Sequence, residues 1–488
     1  MLGSQSQTQA NQHTHSSNQQ VTASKNAKAR YFLAWRWHFY AGLFVIPFML
    51  MLSLTGIVML FDDEIEQLRY SDIISVIPNG AVHSVEQQMQ AVQAKYPDAT
   101  ITQFVSAADP SSANRFNVRM ADGESVLVTV DPYRALVLGE IDRSNSWYQL
   151  ANDIHGTLLI GQWGDYLIEV SASLGILLLI SGIYMWLPTD NAAKAGFLKV
   201  RFASGSRIVM RDLHANLGGI LSVVLLLFLL SGLAWAGVWG AKMVQGWNTF
   251  PTYYTWGDKP QSTQTHASLN HGSEEEMPWN LEQAAVPQST GHHGGSHEHH
   301  VQGYDSSQSV AIDNVIAQAE RLGFTRFKVF LPQSETGVYT IAANSMAGDV
   351  TDPREDRTTH IDQYSGEVLV DVTWQDYSVI AKLMAAGVSL HQGDLSVVNK
   401  VLNLLFCIAF IVISITGAMM WWLRRPSKQN KLGVPARFEQ DGIWKLGLVS
   451  VVVISLCFPL AGAAIVATLV FDALVVARST KLREYLAS

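Results

Sequence analysis

Four long apolar runs limit what this chain can become. They extend from Trp37 to Phe61, Tyr166 to Leu187, Leu217 to Val244 and Val401 to Leu423, each near or above the roughly 20 residues that cross a bilayer as a helix. In lipid only a helix or a closed barrel satisfies its own backbone polar groups, so runs of this length are read as transmembrane helices. A fifth run, Leu446 to Val476, is long for a single span, and Phe458-Pro459-Leu460-Ala461-Gly462 at its middle suits a turn between two shorter helices. Composition agrees, with 48 % hydrophobic and only 15 % charged residues.

Charge placement sets an expected orientation. Lys25, Lys28, Arg30 and Arg36 precede the first run, and Asp62, Asp63, Glu64 and Glu66 follow it. Lys194, Lys199, Arg201, Arg207 and Arg211 crowd the second connection, as Arg424, Arg425, Lys428, Lys431 and Arg437 crowd the one after the fourth run. The positive-inside rule puts the N-terminus and both short loops in the cytoplasm and the two long segments outside. No small-residue cleavage site follows the first run, which reads as a retained anchor. Topology thus accounts for the basic residues, and with a net charge of -8 nothing suggests nucleic acid as a partner. Cys407 and Cys457 lie inside apolar runs, which excludes a disulfide framework. No nucleophile triad, His-Glu-x-x-His zinc motif or phosphate loop points to hydrolysis.

Aligning the runs by their histidines shows an internal repeat: residues 36–190 recur as 212–426. His38 lies 18 residues before Gly56 in Thr55-Gly56, and His214 lies 18 before Gly232 in Ser231-Gly232. His155 precedes Ser181-Gly182 with Trp186 beyond, and His391 precedes Thr416-Gly417 with Trp421 beyond, the spacing differing by one. The polar segments repeat too. An amphipathic helix (Ser84 to Tyr96; Val310 to Leu322) precedes strand-like runs (Arg115 to Met120; Gly337 to Ala343), and Val130-Asp131-Pro132-Tyr133 matches Ile361-Asp362-Gln363-Tyr364.

The expected fold is therefore a polytopic α-helical membrane protein, with four core transmembrane helices in two tandem repeats, a C-terminal segment of one or two helices, and two periplasmic α+β domains. Along the chain this gives a disordered cytoplasmic tail (1–30), transmembrane helix 1 (31–61), periplasmic domain 1 (62–150), transmembrane helix 2 (151–188), a cytoplasmic loop (189–212) and transmembrane helix 3 (213–245). An aromatic and His-rich linker (246–303), periplasmic domain 2 (304–385), transmembrane helix 4 (386–424), a cytoplasmic loop (425–443) and the C-terminal membrane segment (444–478) complete it.

Parallel repeats of even span number are related by an axis along the membrane normal, so equivalent residues share a depth. His38 pairs in this way with His214, and His155 with His391. A helix of 25 residues covers roughly 37 Å, so His38 and His155 of one half lie at opposite faces and cannot share a metal. A lone histidine at a membrane boundary is ordinarily interfacial, but four in repeat-equivalent places suit a cofactor that takes one imidazole on each face. Haem b is such a group, with two haems expected.

The linker Gln261 to Gln302 is a second candidate. Besides His266 and His271 it carries His292, His293, His297, His299 and His300, a density that binds Zn, Cu or Ni, or else makes a solvated linker.

Trp35-Arg36-Trp37-His38 opening a span, Thr55-Gly56 closing it, Asp153-Ile154-His155-Gly156 opening the next and a small α+β domain between them resemble the PepSY-associated transmembrane family of iron-regulated bacterial inner-membrane proteins. The likeness covers about Tyr31 to Val476, including Met277-Pro278-Trp279. It implies two periplasmic PepSY domains, b-type haem on the membrane histidines and, as in FoxB-like members, reduction of ferric siderophores in the periplasm. Some relatives similar in the membrane part end in a fused flavin reductase. Here no dinucleotide fingerprint opens a strand-helix unit, so the expected electron donor is a separate cytoplasmic reductase or the quinol pool. A non-redox role, regulating an envelope peptidase or sensing, is the alternative, since PepSY domains resemble those of protease propeptides.

Overall fold

The computed structural model describes residues 3–188, 191–245, 262–271, 276–289, 308–425, 431–435, 438 and 443–486. The chain begins with α1 (Gly3–Leu60), α2 (Asp62–Ile74) and α3 (Val85–Lys95), then strands β1 (Thr100–Val105), β2 (Asn114–Arg119), β3 (Ser125–Asp131) and β4 (Leu136–Ile141). Next come α4 (Trp147–Thr157), α5 (Gln162–Trp186), α6 (Asn191–Gly196), α7 (Ser206–Ile220) and α8 (Ser222–Leu233). The second polar segment contains α9 (Ile312–Arg321), β5 (Lys328–Phe330), β6 (Val338–Ala343), β7 (Arg357–Asp362) and β8 (Val368–Thr373). Finally come α10 (Val379–Gln392), α11 (Val397–Arg424), α12 (Lys445–Cys457) and α13 (Pro459–Phe471). The fold divides into a helical unit (residues 1–54, 155–240 and 405–488) and a sheet unit (55–154 and 241–404).

In the helical unit the apolar runs form the expected helices, with three corrections. Among the described residues, Lys25–Leu60, Gln162–Trp186, Val397–Arg424 and Pro459–Val476 are long and apolar enough to cross a membrane. The third span is not continuous, because α7 and α8 meet at a 63° bend. Leu221, at φ -89 and ψ 6, sits at the break, and the Ser222 hydroxyl donates to the Gly219 carbonyl at 2.8 Å. A Cβ on Gly219 would lie 2.3 Å from the Trp186 indole, so only glycine admits that ring against α7.

The second correction concerns the tail expected to be disordered. Residues 3–30 are instead continuous with α1, where no Gly or Pro interrupts the chain between Gly3 and Gly42. Thirdly, His155 and His391 do not stand on spanning helices. Each ends a short helix, α4 or α10, that a tight turn separates from the span. Leu158, Leu159 and Gly161 take positive φ in the first turn, and Gly393 at φ 94 makes the second. The C-terminal run breaks at Phe458–Pro459 as expected, giving α12 and α13. Leu229 and Leu233 of α8 pack with Ile176, Leu177 and Leu179 of α5, and with Ile454 and Phe458, to form this unit's core.

In the sheet unit, the amphipathic helices and strands lie where the sequence puts them, but the two α+β segments share one sheet. Among the described residues its order is β4-β3-β2-β1-β5-β6-β7-β8, all antiparallel. The halves join at β1–β5, where Phe104 faces Val329. Alternation sends one face inward: Phe116, Val118, Val128 and Val130 from one half, and Tyr339, Ile341 and Ile361 from the other, pack in one core with residues of α3 and α9. Asp313 of α9 accepts the Val85 N–H at 2.7 Å and so caps α3 from the other half. The matched tetrads turn alike. Asp131 accepts the Tyr133 N–H at 2.8 Å, and Asp362 accepts the Tyr364 N–H at 2.9 Å. Both tyrosine hydroxyls donate to backbone carbonyls, of Pro110 and Glu335.

The linker is also corrected. Residues 262–271 and 276–289 fold onto the sheet as a strap anchored by buried Met277, Trp279 and Leu281, because those apolar side chains outweigh the polar residues around them.

Candidate functional site

His38 and His214 meet in the helical unit. Their ring centres are 6.0 Å apart and their planes cross at 86°. Each ring is held from behind by a hydroxyl-glycine pair on a spanning helix. On α5 the Ser181 hydroxyl donates to the Leu177 carbonyl at 2.7 Å and so accepts from His38 Nδ1–H at 3.0 Å. On α11 the Thr416 hydroxyl donates likewise to Val412 at 2.7 Å. His214 Nδ1 lies 2.9 Å from the Ile413 carbonyl and 3.5 Å from the Thr416 hydroxyl oxygen. A carbonyl oxygen only accepts, so His214 too carries its proton on Nδ1.

In its neutral form each ring then presents the Nε2 lone pair, the tautomer that a metal takes when a second partner fixes Nδ1. The glycines complete the cradle. A Cβ on Gly182 would lie 3.3 Å from His38 Cε1, and one on Gly417 would lie 3.1 Å from His214 Cε1. The hydroxyl-glycine pairs were visible in the sequence as markers of the repeat, but nothing there tied them to the histidines.

Residues flanking His214 clamp α7 to the preceding connection. Asp212 binds Arg201 through two bonds of 2.8 Å and Arg211 at 3.0 Å. Asn216 accepts from Trp186 Nε1–H at 3.0 Å and the Leu198 N–H at 2.9 Å, and donates to the Gly196 and Lys199 carbonyls. Sequence reading missed these anchors, because a loop contact leaves no periodic signal. It also passed over Asp165 and Glu169, one turn apart on α5. They accept the Gly237 and Val238 N–H groups at 3.1 and 3.0 Å, where the chain turns after α8.

His155 belongs to the helical unit and His391 to the sheet unit. Asn403 of α11 donates to the carbonyls of His391 at 2.9 Å and Leu390 at 2.7 Å, fixing the turn between α10 and α11.

The family to which these elements belong follows from the whole chain. Residues 35–424 match the PepSY-associated TM region. The chain belongs to that family. No curated protein matches it.

In this PepSY-associated membrane protein the loop histidines part company. His292, His293, His297, His299 and His300 lie outside the described residues. His266 and His271, by contrast, are built into the strap. His266 Nε2 is 2.9 Å from His360 Nε2, and both rings are fully buried. His271 Nδ1 donates to Glu276 at 2.6 Å while its Nε2 meets the Thr102 hydroxyl at 2.9 Å. Burial works against charge on Glu276, but the His271 bond and nearby Lys328 hold its carboxyl down at about 2. Among the described residues no group of three His, Cys, Asp or Glu side chains could hold a metal ion. For His266 and His271 the metal-loop expectation is thus replaced by buried pairing.

Proposed function

We propose that this protein is a haem-containing reductase of the bacterial inner membrane that passes electrons to ferric siderophores in the periplasm and frees iron as Fe(II). The observation that carries the reading is the His38–His214 pair. The two imidazoles would hold a haem iron between them, and their ring centres stand 6.0 Å apart. The donor set fits as well, since both Nδ1 atoms are engaged and both Nε2 atoms are left to coordinate. Gly182 and Gly417 let the helices close on the rings without a side chain in the way.

When bound there, haem b supplies a one-electron carrier within the apolar core, its potential tuned by ligands, burial and hydrogen bonds. His38 and His214 would hold the iron, with Ser181 and the Ile413 carbonyl orienting the rings and raising their basicity. A separate cytoplasmic reductase or quinol provides the electron. The acceptor takes one electron per iron, and oxygen-rich ligands that suit Fe(III) bind the Fe(II) product weakly, so release follows reduction.

The test is the reduced-minus-oxidised absorption spectrum of full-length protein purified in detergent. We expect bis-imidazole haem bands, with His38→Ala and His214→Ala abolishing the same component. Re-oxidation by a ferric hydroxamate, with Fe(II) trapped by a ferrous-selective dye, tests the acceptor. Protein that stays colourless after haem is supplied would sink the reductase reading and favour the regulatory one.

A further inference from the structure

The planes of the His38 and His214 rings cross at 86°, and the groups that hold them so stand on two different helices. An imidazole N–H points in the plane of its own ring, so the acceptor it meets fixes how far the ring can turn. His38 Nδ1 meets the Ser181 hydroxyl of α5 at 3.0 Å, and His214 Nδ1 meets the Ile413 carbonyl of α11 at 2.9 Å. Neither acceptor can follow a rotating ring. The Ser181 oxygen is itself tied to the Leu177 carbonyl at 2.7 Å, and the Ile413 carbonyl belongs to the backbone of α11 and also takes the Thr416 hydroxyl at 3.0 Å.

The edge of each ring is confined as well. A Cβ on Gly182 would come to 3.3 Å from His38 Cε1, and one on Gly417 to 3.1 Å from His214 Cε1. Ser181-Gly182 and Thr416-Gly417 are alike in sequence, yet the two anchors differ. The Thr416 hydroxyl stands 3.5 Å from His214 Nδ1, and the backbone carbonyl takes the closer place.

The crossing angle matters to any iron that two imidazoles hold. Each ring donates π electrons to the iron d orbital that lies across its plane. Parallel rings act on one orbital and split it from its partner, whereas crossed rings act on one orbital each and leave the two nearly equal in energy. Low-spin ferric iron lacks one electron in this set and gains from a splitting, while ferrous iron, with the set full, gains nothing. Crossed rings therefore make the iron easier to reduce than parallel ones, one route by which axial ligands and the groups behind them tune a haem.

We propose that Ser181 and the Ile413 carbonyl are positioning groups that hold the His38 and His214 planes crossed and so give a haem between them a strongly anisotropic ferric state. This rests on the haem reading above.

The experiment is low-temperature electron paramagnetic resonance of full-length ferric protein in detergent, with an absorption spectrum of each sample. The low-spin component that disappears in His214→Ala is the one to read. In wild type it should be a single broad low-field feature, the mark of crossed rings, and not the resolved rhombic lines of parallel ones. Ser181→Ala removes the acceptor of His38, so the feature should shift to higher field, toward the rhombic pattern, while the bis-imidazole absorption bands persist. Ser181→Thr returns a hydroxyl and should restore the wild-type signal, whereas a serine that only packed α5 would leave the signal unmoved in Ser181→Ala. The wild-type spectrum alone keeps the test decisive if a variant misfolds. Rhombic lines from wild type, or a low-field feature that survives in Ser181→Ala, overturn the proposal. Wild-type protein that takes up haem but gives the rhombic lines leaves the haem reading standing, and protein without bis-imidazole bands ends that reading before the angle is reached.

Discussion

His360 donates its Nε2–H to Nε2 of His266 at 2.9 Å, and the direction of that bond is dictated by the partners on either side. The Ala284 carbonyl can only accept, so His266 carries its proton on Nδ1, 2.8 Å away. His360 Nδ1 then accepts from the Thr340 hydroxyl at 2.9 Å. The chain of three bonds ties the strap to the sheet, and protonation of either ring breaks it.

Acid should therefore weaken the strap. Burial holds His266 down at about 4, and burial together with His266 holds His360 well below 6.5. The unfolded state takes up protons first, so the pair's stability is complete above about pH 6.5 and declines as pH falls toward 4. The loss for His266 is about 3 kcal/mol. Glu282 and Asp356, raised to about 7 by burial, titrate with the opposite sign, so the pair must be read by difference. Hydrogen exchange over residues 264–286 should lose protection between pH 7 and 4 faster in wild type than in His266→Gln/His360→Gln. Parallel curves would refute the latch.

Ser181→Ala should disturb the histidine pair more than Thr416→Val. His38 Nδ1 depends on the Ser181 hydroxyl at 3.0 Å, whereas His214 Nδ1 has the Ile413 carbonyl at 2.9 Å and the Thr416 hydroxyl only at 3.5 Å. Under the proposed haem role, losing the partner that orients an imidazole would cost roughly 10- to 100-fold in metal affinity. Haem titration of the two variants measures the difference, and equal losses would show that the hydroxyls are not what orients the rings.

Gly218 and Gly219 are neighbours with opposite expectations. A Cβ on Gly219 would collide with Trp186, while one on Gly218 meets nothing within 4 Å. Gly219→Ala should cost about 1–3 kcal/mol by overpacking and loosen the Trp186–Asn216 bond. Gly218→Ala should be neutral or slightly stabilising. Thermal unfolding in detergent compares them, and matching midpoints would mean that Trp186 can move aside freely.

Phe104 stands at the seam between the two halves of the sheet, 3 % exposed and opposite fully buried Val329. Phe104→Ala should cost about 3–5 kcal/mol. Because the halves share one core, exchange protection should fall in β6 as well as in β2. Loss confined to β1–β4 would show that the halves fold independently.

Local pattern alone determined the positions of the spanning helices, the α3 and α9 helices and most strands, because apolar run length and period are written in neighbouring residues. It also singled out His38 and His214 together, since each stands 18 residues before the glycine of a Thr-Gly or Ser-Gly pair. Tertiary packing decided the rest. Nothing in residues 213–245 shows that Trp186 will press on Gly219 where the span breaks, and nothing in Thr100–Val105 shows that its open edge will pair with Lys328–Phe330. The same holds for His266, which looks like one more loop histidine until His360, 94 residues away, closes on it. Such contacts depend on surfaces that exist only once distant segments have folded, and the bond that sets each imidazole's tautomer is one of them.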